Sequence, residues 1–219
     1  MAGTEGRPDD DPFGGRPPTS HERMTGEPWD ASYRRGPAPW DIGQPQPAVV
    51  RVAAAGGFTG TVLDAGCGTG ENALHLAAHG LVVLGIDVAE TALEAAQATA
   101  AGRHLQAEFV AVDALALEVV GRAFETVLDC GLFHTFDPDE RIRYLASLAS
   151  VTLPGGRLYV LCFRDAGPGS GPHPVSQEEL EQAFRPGSGW RIVSVEPERI
   201  LTRFAPDGAP AWLATVERR

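Results

Sequence analysis

Thr61-Val62-Leu63-Asp64-Ala65-Gly66-Cys67-Gly68-Thr69-Gly70-Glu71-Asn72 decides how this chain is read. A β-branched, apolar tripeptide ends in an acid, and three glycines then alternate with other residues before a helix-compatible segment opens. Glycines at such a strand-to-helix turn let the backbone adopt unusual φ/ψ and come close to a ligand. A dinucleotide fingerprint, G-x-G-x-x-G, would place its third glycine at position 71, which is Glu71. Carboxylates on both sides of the loop would repel a pyrophosphate. They suit a ligand that joins an adenosine to a positive centre.

Working outward, strand and helix patterns alternate from Thr61 onward. Val62-Leu63 opens the series, and a helix follows through Leu74 to Ala78, stopping at Gly80. Leu81 to Ile86 is a continuous apolar run of the kind buried in a parallel sheet. Thr91 to Ala101 reads as an alanine-rich helix, Phe109 to Val112 and Thr126 to Leu128 as strands, and Asp139 to Val151 as a helix closed by Pro154-Gly155-Gly156. Leu158 to Phe163 is a strong strand, followed by a Gly/Pro loop to Pro174. Ser176 with Glu179 forms a capping box for a helix ending near Phe184, and Arg191 to Val195 and Trp212 to Val216 are late strands. The alternation predicts an α/β chain with one doubly wound, mostly parallel sheet, helices on both faces and ligands at the carboxyl ends of the strands. Residues 1–27, rich in Pro, Gly, Asp and Arg without hydrophobic period, read as a disordered tail. Residues 28–60 read as a proline-rich cover with one short helix from Pro47 to Ala55, and 61–219 as the domain itself.

The totals narrow the chemistry. The 219 residues suffice for one α/β domain. A net charge of −11 makes a nucleic-acid partner a poor fit, since counterion release needs basic residues. All basic residues are arginine, so neither a P-loop lysine nor a pyridoxal-phosphate Schiff base can be built. No apolar stretch is long enough for a bilayer, and the N-terminus lacks a secretory apolar core, which points to the cytoplasm and no membrane partner. Cys67, Cys130 and Cys162 have no C-x-x-C spacing and read as reduced thiols, and the histidines His75, His79, His104 and His173 show no metal-ligand spacing.

Acids stand at successive strand ends: Asp64 after the first, Asp87 after the second, Asp113 after the third and Asp129 after the fourth. Asp87 follows the glycine loop at the distance where an acid accepts both ribose hydroxyls. Each acid taken alone is also a helix N-cap. Asp64-Ala65-Gly66-Cys67-Gly68-Thr69-Gly70 resembles motif I of the class I S-adenosylmethionine-dependent methyltransferases. That resemblance implies a seven-stranded Rossmann-like sheet whose last strand inserts antiparallel beside the sixth. It also implies S-adenosylmethionine as cofactor and S-adenosylhomocysteine as product. Carried over, Asp64, Gly66, Cys67, Gly68, Gly70 and Asn72 bind the cofactor. Asp87 with Val88 takes the ribose, Asp113 with Ala114 the adenine, and Asp129 with Cys130 faces the methionine end and the substrate.

The segment from Asp30 through Pro39-Trp40-Asp41 to Pro47 resembles the N-terminal cover of small-molecule methyltransferases near the thiopurine, thiol and halide enzymes and the bacterial heterocycle and quinone enzymes. Trp40 then either lies against the sulfonium as a cation–π partner or anchors the proline-rich strap, and the two are compatible. Asp129-Cys130-Gly131-Leu132-Phe133-His134 departs from the Asn/Asp-Pro-Pro-aromatic tetrapeptide of enzymes that methylate nucleobase and amide amines. The expected partner is therefore a small aromatic or heterocyclic molecule that takes the methyl group on oxygen, nitrogen or sulfur; the alternatives are a thiol S-methyltransferase and a catalytically silent S-adenosylmethionine-binding protein. His134 is the candidate base, near neutral in pKa, or else a histidine bonded to backbone; Phe133, His134 and Phe163 are the candidate substrate contacts.

Overall fold

Successive side chains of a strand point to opposite faces, so the continuous apolar runs put apolar residues on both, and a strand covered on both faces must sit inside a helix sandwich. The computed structural model describes residues 11–167 and 171–219 and shows this arrangement. Its strands are β1 (Thr61–Ala65), β2 (Val82–Asp87), β3 (Glu108–Ala111), β4 (Phe124–Cys130), β5 (Thr152–Phe163), β6 (Trp190–Ile200) and β7 (Ala209–Arg218). They form one seven-stranded sheet in the order β3-β2-β1-β4-β5-β7-β6. β7 runs antiparallel to both neighbours, and every other pairing is parallel. The order reverses between β1 and β4, so the crevice at their carboxyl ends is the place for a ligand.

The helices are α1 (Ser20–Thr25), α2 (Trp29–Arg34), α3 (Pro47–Ala54), α4 (Glu71–Ala78), α5 (Glu90–Arg103), α6 (Pro138–Ser150) and α7 (Gln177–Ala183). One core joins Leu63, Val127, Leu158 and Val216 to Tyr144 and Leu148 of α6 and Leu180 of α7. The opposite core joins Val62, Val83 and Leu128 to Val49, Leu74, Leu93 and Phe109. Two short 3-10 helices, 114–120 and 133–135, follow β3 and β4 and have no periodic signal long enough to be read from sequence.

The glycine turn has a steric basis. Gly70 holds φ 80°, and a Cβ there would come within 2.8 Å of the Phe109 ring and 2.9 Å of the Ala96 methyl. Its role is to let α4 start against β3 and α5 rather than to touch a ligand.

The expectation of a structureless tail through residue 27 does not hold for residues 11–27; residues 1–10 lie outside the described residues. α1 forms because Thr19 and Glu22 make a capping box, and because Glu22 gathers donors in a fully buried position. Glu22 accepts both ends of the Arg16 guanidinium and the N–H groups of Thr19 and Trp29. Burial alone would raise its pKa, but these bonds and the Arg16 charge hold it below the usual carboxylate range. The cover is then fastened at three places. Ser20 and Arg23 bond Glu140 at the start of α6, Asp30 accepts from Thr91 at the start of α5, and the Gln46 amide bonds both the N–H and the carbonyl of Leu201. α3 and Phe58, expected as part of the cover, pack into the domain core instead.

Gly70→Ala should lower stability by about 2–4 kcal/mol, from left-handed strain plus overpacking. The urea midpoint of the variant against the wild type checks this; an unchanged midpoint would show that Phe109 yields freely.

Candidate active site

A cavity of about 190 Å³ lies at the carboxyl ends of the central strands, under the N-terminal cover. Gly66, Cys67, Gly68, Asn72, Asp87, Val88, Asp113, Ala114 and Cys130 line one half, as expected from sequence, together with Trp40. The glycine loop bends back on its own sheet. The N–H groups of Gly66 and Cys67 both donate to the Ile86 carbonyl, that of Gly68 to Asp87, and that of Gly70 to the Cys67 carbonyl. These amides are thus spent internally, unlike those of a loop that cradles phosphate. Gly68 has φ 52°, and a Cβ there would stand 2.7 Å from the Tyr33 hydroxyl. Only glycine leaves room for that close approach of cover to loop.

The four strand-end acids fare differently. Asp87 accepts from Gly68 and Ala89 N–H and still lines the cavity; burial raises its pKa, against those bonds and the Arg16 charge. Asp113 caps the 3-10 helix through Leu115 N–H and presents its remaining capacity to the cavity. Asp64 lies beneath the loop, off the cavity wall. Both its oxygens are buried without a hydrogen-bond partner. Burial pushes its pKa up to about 7; the Ala73 N–H recovers part of that cost without reaching hydrogen-bond geometry, and Asp129 and Asp87 add to it.

Asp129 corrects its expectation. Register pairs Ala65 with Asp129, so Asp129 faces the α6 side with Val127, away from the cavity, and Cys130 takes the cavity side. Its oxygens accept from Leu132 and Phe133 N–H and from the Tyr144 hydroxyl at 2.8 Å, and burial pushes its pKa up to about 6. Asp129 thus shapes the turn after β4. Gly70 likewise stands off the wall. Phe133 is a second correction: the 3-10 turn points it into the core, stacked on Phe184 under the Arg141 guanidinium. Trp212 is also core, donating to the Val175 carbonyl.

The other half of the cavity is aromatic. His134 and Phe163 line it with ring centroids 4.6 Å apart, and Phe136, His21, Trp29, His173 and Phe204 stand on the same walls beside Ile200 and Leu201. His134 is buried, makes no hydrogen bond, and its Nδ1 is sealed without a partner, so it is not the backbone-bonded histidine of the alternative reading. Burial, then the charges of His173, Arg141 and His21, push its pKa down to about 3. The near-neutral pKa expected from sequence is therefore corrected: the imidazole is uncharged at all ordinary pH. Trp40 donates its Nε1–H to the Tyr33 hydroxyl at 2.9 Å, which ties it into the cover while it lines the cavity. Burial and Asp87 hold the Tyr33 hydroxyl well above its usual range, and burial first of all does the same for the three thiols. Among the described residues no group of His, Cys, Asp and Glu is placed to hold a metal ion, and no helix is long and apolar enough to cross a membrane.

Arg16, His21, Trp29, Tyr33 and His173 were not legible as site residues. The Thr19-Ser20-His21-Glu22 capping box was the available signal for the first two; His173 sits in a Gly/Pro loop that carries none.

A methyltransferase-domain family model matches residues 62–156. The 2-heptyl-1-hydroxyquinolin-4(1H)-one methyltransferase of Mycobacteroides abscessus is 37% identical over 74% of this chain and 72% of its own length. The chain belongs to the S-adenosylmethionine-dependent methyltransferases. This methyltransferase superposes with a TM-score of 0.78 and 36% identity on a structure from work on the conversion of a disulfide bond into a thioacetal group during echinomycin biosynthesis, covering 87% of this chain and 91% of that one. It also matches the Burkholderia thailandensis 1,6-didemethyltoxoflavin-N1-methyltransferase bound to its substrate and S-adenosylhomocysteine, at 26% identity and a TM-score of 0.62, over 78% and 76% of the two chains.

The raised carboxyl of Asp64 sets a pH dependence. Below about pH 4 Asp64 is protonated folded or unfolded and costs nothing. As pH rises toward the folded value of about 7, the unfolded state ionises first and stability is lost. At about 1.4 kcal/mol per unit the loss is a few kcal/mol. Asp64→Asn should therefore flatten the fall in melting temperature of the ligand-free methyltransferase across this window. Equal slopes for the two proteins would refute the assignment.

Proposed function

We propose that this methyltransferase moves a methyl group to an oxygen or nitrogen of a small, uncharged aromatic or heterocyclic acceptor, and that His134 contacts that acceptor. The observation that carries this reading is the neutral, unbonded His134 imidazole set among Phe163, Phe136 and Trp29. A flat apolar acceptor with one polar edge suits such walls, and among the described residues an inorganic anion finds no free cation there, since Arg16 is held by Glu22 and Arg141 by Glu179.

When bound, S-adenosylmethionine supplies an electrophilic methyl group on a sulfonium centre. The residues present fit it on their own chemistry. Asp87 and Asp113 keep acceptor capacity on the wall for a ribose diol and an adenine amine. The enclosed, unpartnered Asp64 gives the loop region a negative field that a cation would relieve, and loop amides already spent on the sheet disfavour a phosphate ligand. Trp40 and Tyr33 close the cavity from the cover side and exclude water. Direct displacement needs alignment more than covalent help, and alignment alone is worth roughly 7–11 kcal/mol. His134 hydrogen-bonds the polar atom of the acceptor and so orients its lone pair.

Identity to the M. abscessus hydroxyquinolone enzyme supports an oxygen or nitrogen acceptor. The 36% identical structure linked to disulfide-to-thioacetal conversion favours a second reading, a sulfur acceptor. The three free thiols of the chain suit a reducing compartment and support a cytoplasmic setting.

Labelled methyl transfer to phenols, hydroxyquinolones, N-heterocycles and thiols tests the assignment. We expect turnover on oxygen or ring-nitrogen acceptors, with no inflection belonging to His134, which is already neutral. His134→Ala should lower the rate on phenols about 100-fold while leaving S-adenosylhomocysteine affinity within twofold. Turnover confined to thiols would move the chain to the sulfur reading, and an unchanged rate in the variant would make His134 a wall residue only.

A further inference from the structure

His21 of α1 and His173 of the segment after β5 meet at the cavity. His21 Nδ1 lies 3.3 Å from His173 Nε2, with ring centroids 5.4 Å apart and planes at 73°. The His21 ring is fixed from behind by stacking on Trp29 at 4.2 Å and 10°. His173 holds φ 51°. The other described non-glycine residue with positive φ, His104, ends α5, where a left-handed residue is customary. His173 ends no helix, so its strained backbone serves the placement of its ring.

Methylation of an O–H or N–H acceptor puts the acceptor's electron pair into the new bond to carbon, leaves the old carbon–sulfur pair on sulfur, and sets one proton free. His134 is a poor store for that proton. Its Nδ1 is sealed without a partner, and a charge on the ring is opposed by burial and by His173, Arg141 and His21. His21 and His173 also line the cavity but are only half-buried, so they reach both the acceptor space and solvent.

Resting on the acceptor reading above, we propose that His173 and His21 form the proton exit of the active site, carrying the acceptor's proton from the cavity to water. A contact between two imidazole nitrogens needs one donor and one acceptor, so the neutral pair shares a single proton. A proton arriving at the free nitrogen of His173 displaces the shared one onto His21 Nδ1, and the far nitrogen of His21 releases its own to solvent. The charged groups facing the pair are consistent with transient occupancy. Burial and His173 oppose a proton on His21, while Glu22, itself paired with Arg16, favours it; Arg141 on the His134 side is paired with Glu179.

The test compares single-turnover rates of the wild type, His173→Gln, His21→Gln and the double variant. Phenol serves as a protic acceptor with a pKa of about 10, and an aryl thiol as one that enters as its thiolate. Glutamine keeps size and hydrogen bonding but cannot pass a proton, and S-adenosylhomocysteine affinity checks that the cover still closes. Near neutral pH each single variant should lose about 100-fold on phenol, the double variant no more than either single one, and the loss on the thiol should be at least tenfold smaller. The phenol rates should converge on the wild type as pH approaches the acceptor's own pKa. Equal losses on both acceptors at every pH would make the pair a clasp on the cover and overturn the exit, as would additive losses or none. A wild type that methylates thiols but no phenol or N–H heterocycle would instead sink the acceptor reading, and the exit with it.

Discussion

Two hydrogen bonds to one carbonyl organise the active end of this molecule. The N–H groups of Gly66 and Cys67 converge on Ile86 O, tying the exit of β1 to the last turn of β2. The loop is thereby held flat against the sheet, and Asp87 completes the tie through Gly68 N–H. Everything on the cofactor side follows from it. Asp64 is trapped below the loop, Asp87 is turned up to the cavity, and the bare Gly68 lets the Tyr33 hydroxyl descend until the cover touches the loop. With any side chain at Gly68, Tyr33 and the Trp40 bonded to it would have to lift.

The cover is the second structural unit, and it is polar at its centre. Glu22 and Arg16 form a buried bidentate pair around which Thr19 and Trp29 are arranged. A buried pair of this kind contributes little net stability but fixes one geometry, because each missing partner would strand a charge. That geometry places Arg16, His21, Trp29, Tyr33 and Trp40 around one cavity. The two halves of the cavity differ accordingly. Asp87 on the half next to the glycine loop, and Asp64 beneath that loop, hold their protons to higher pH than usual, while His134 and His21 on the half next to β5 give theirs up at lower pH than usual. Burial drives both, since it disfavours the charged form of either group. A cationic donor suits the first half and an uncharged acceptor the second.

The β-α alternation made the sheet legible because buried parallel strands are short apolar runs and amphipathic helices carry a longer period. The strand-end acids were legible as a series but not individually. Whether an acid faces the cavity depends on strand parity and register, which pair Asp129 with Ala65 and send it toward Tyr144. A one-residue step separates Asp129 from Cys130 in role. Likewise Phe133 and His134 are neighbours in sequence, yet the 3-10 turn sends one to the core and the other to the cavity.

Local chemistry in the chain by itself determined the fold class, the glycine turn and the acid series, and the glycine turn carried the resemblance to the methyltransferase family. Backbone freedom, hydrophobic period and residue type act over a few residues and leave marks in the string. Only the tertiary structure decided which side chains share the site. It ordered the segment around Glu22 through a buried ion pair, brought His21 to His173 across 152 positions, and emptied His134 of charge by burying it. Those outcomes arise from contacts between distant segments and from the loss of water around them. Neither quantity is encoded at any single position.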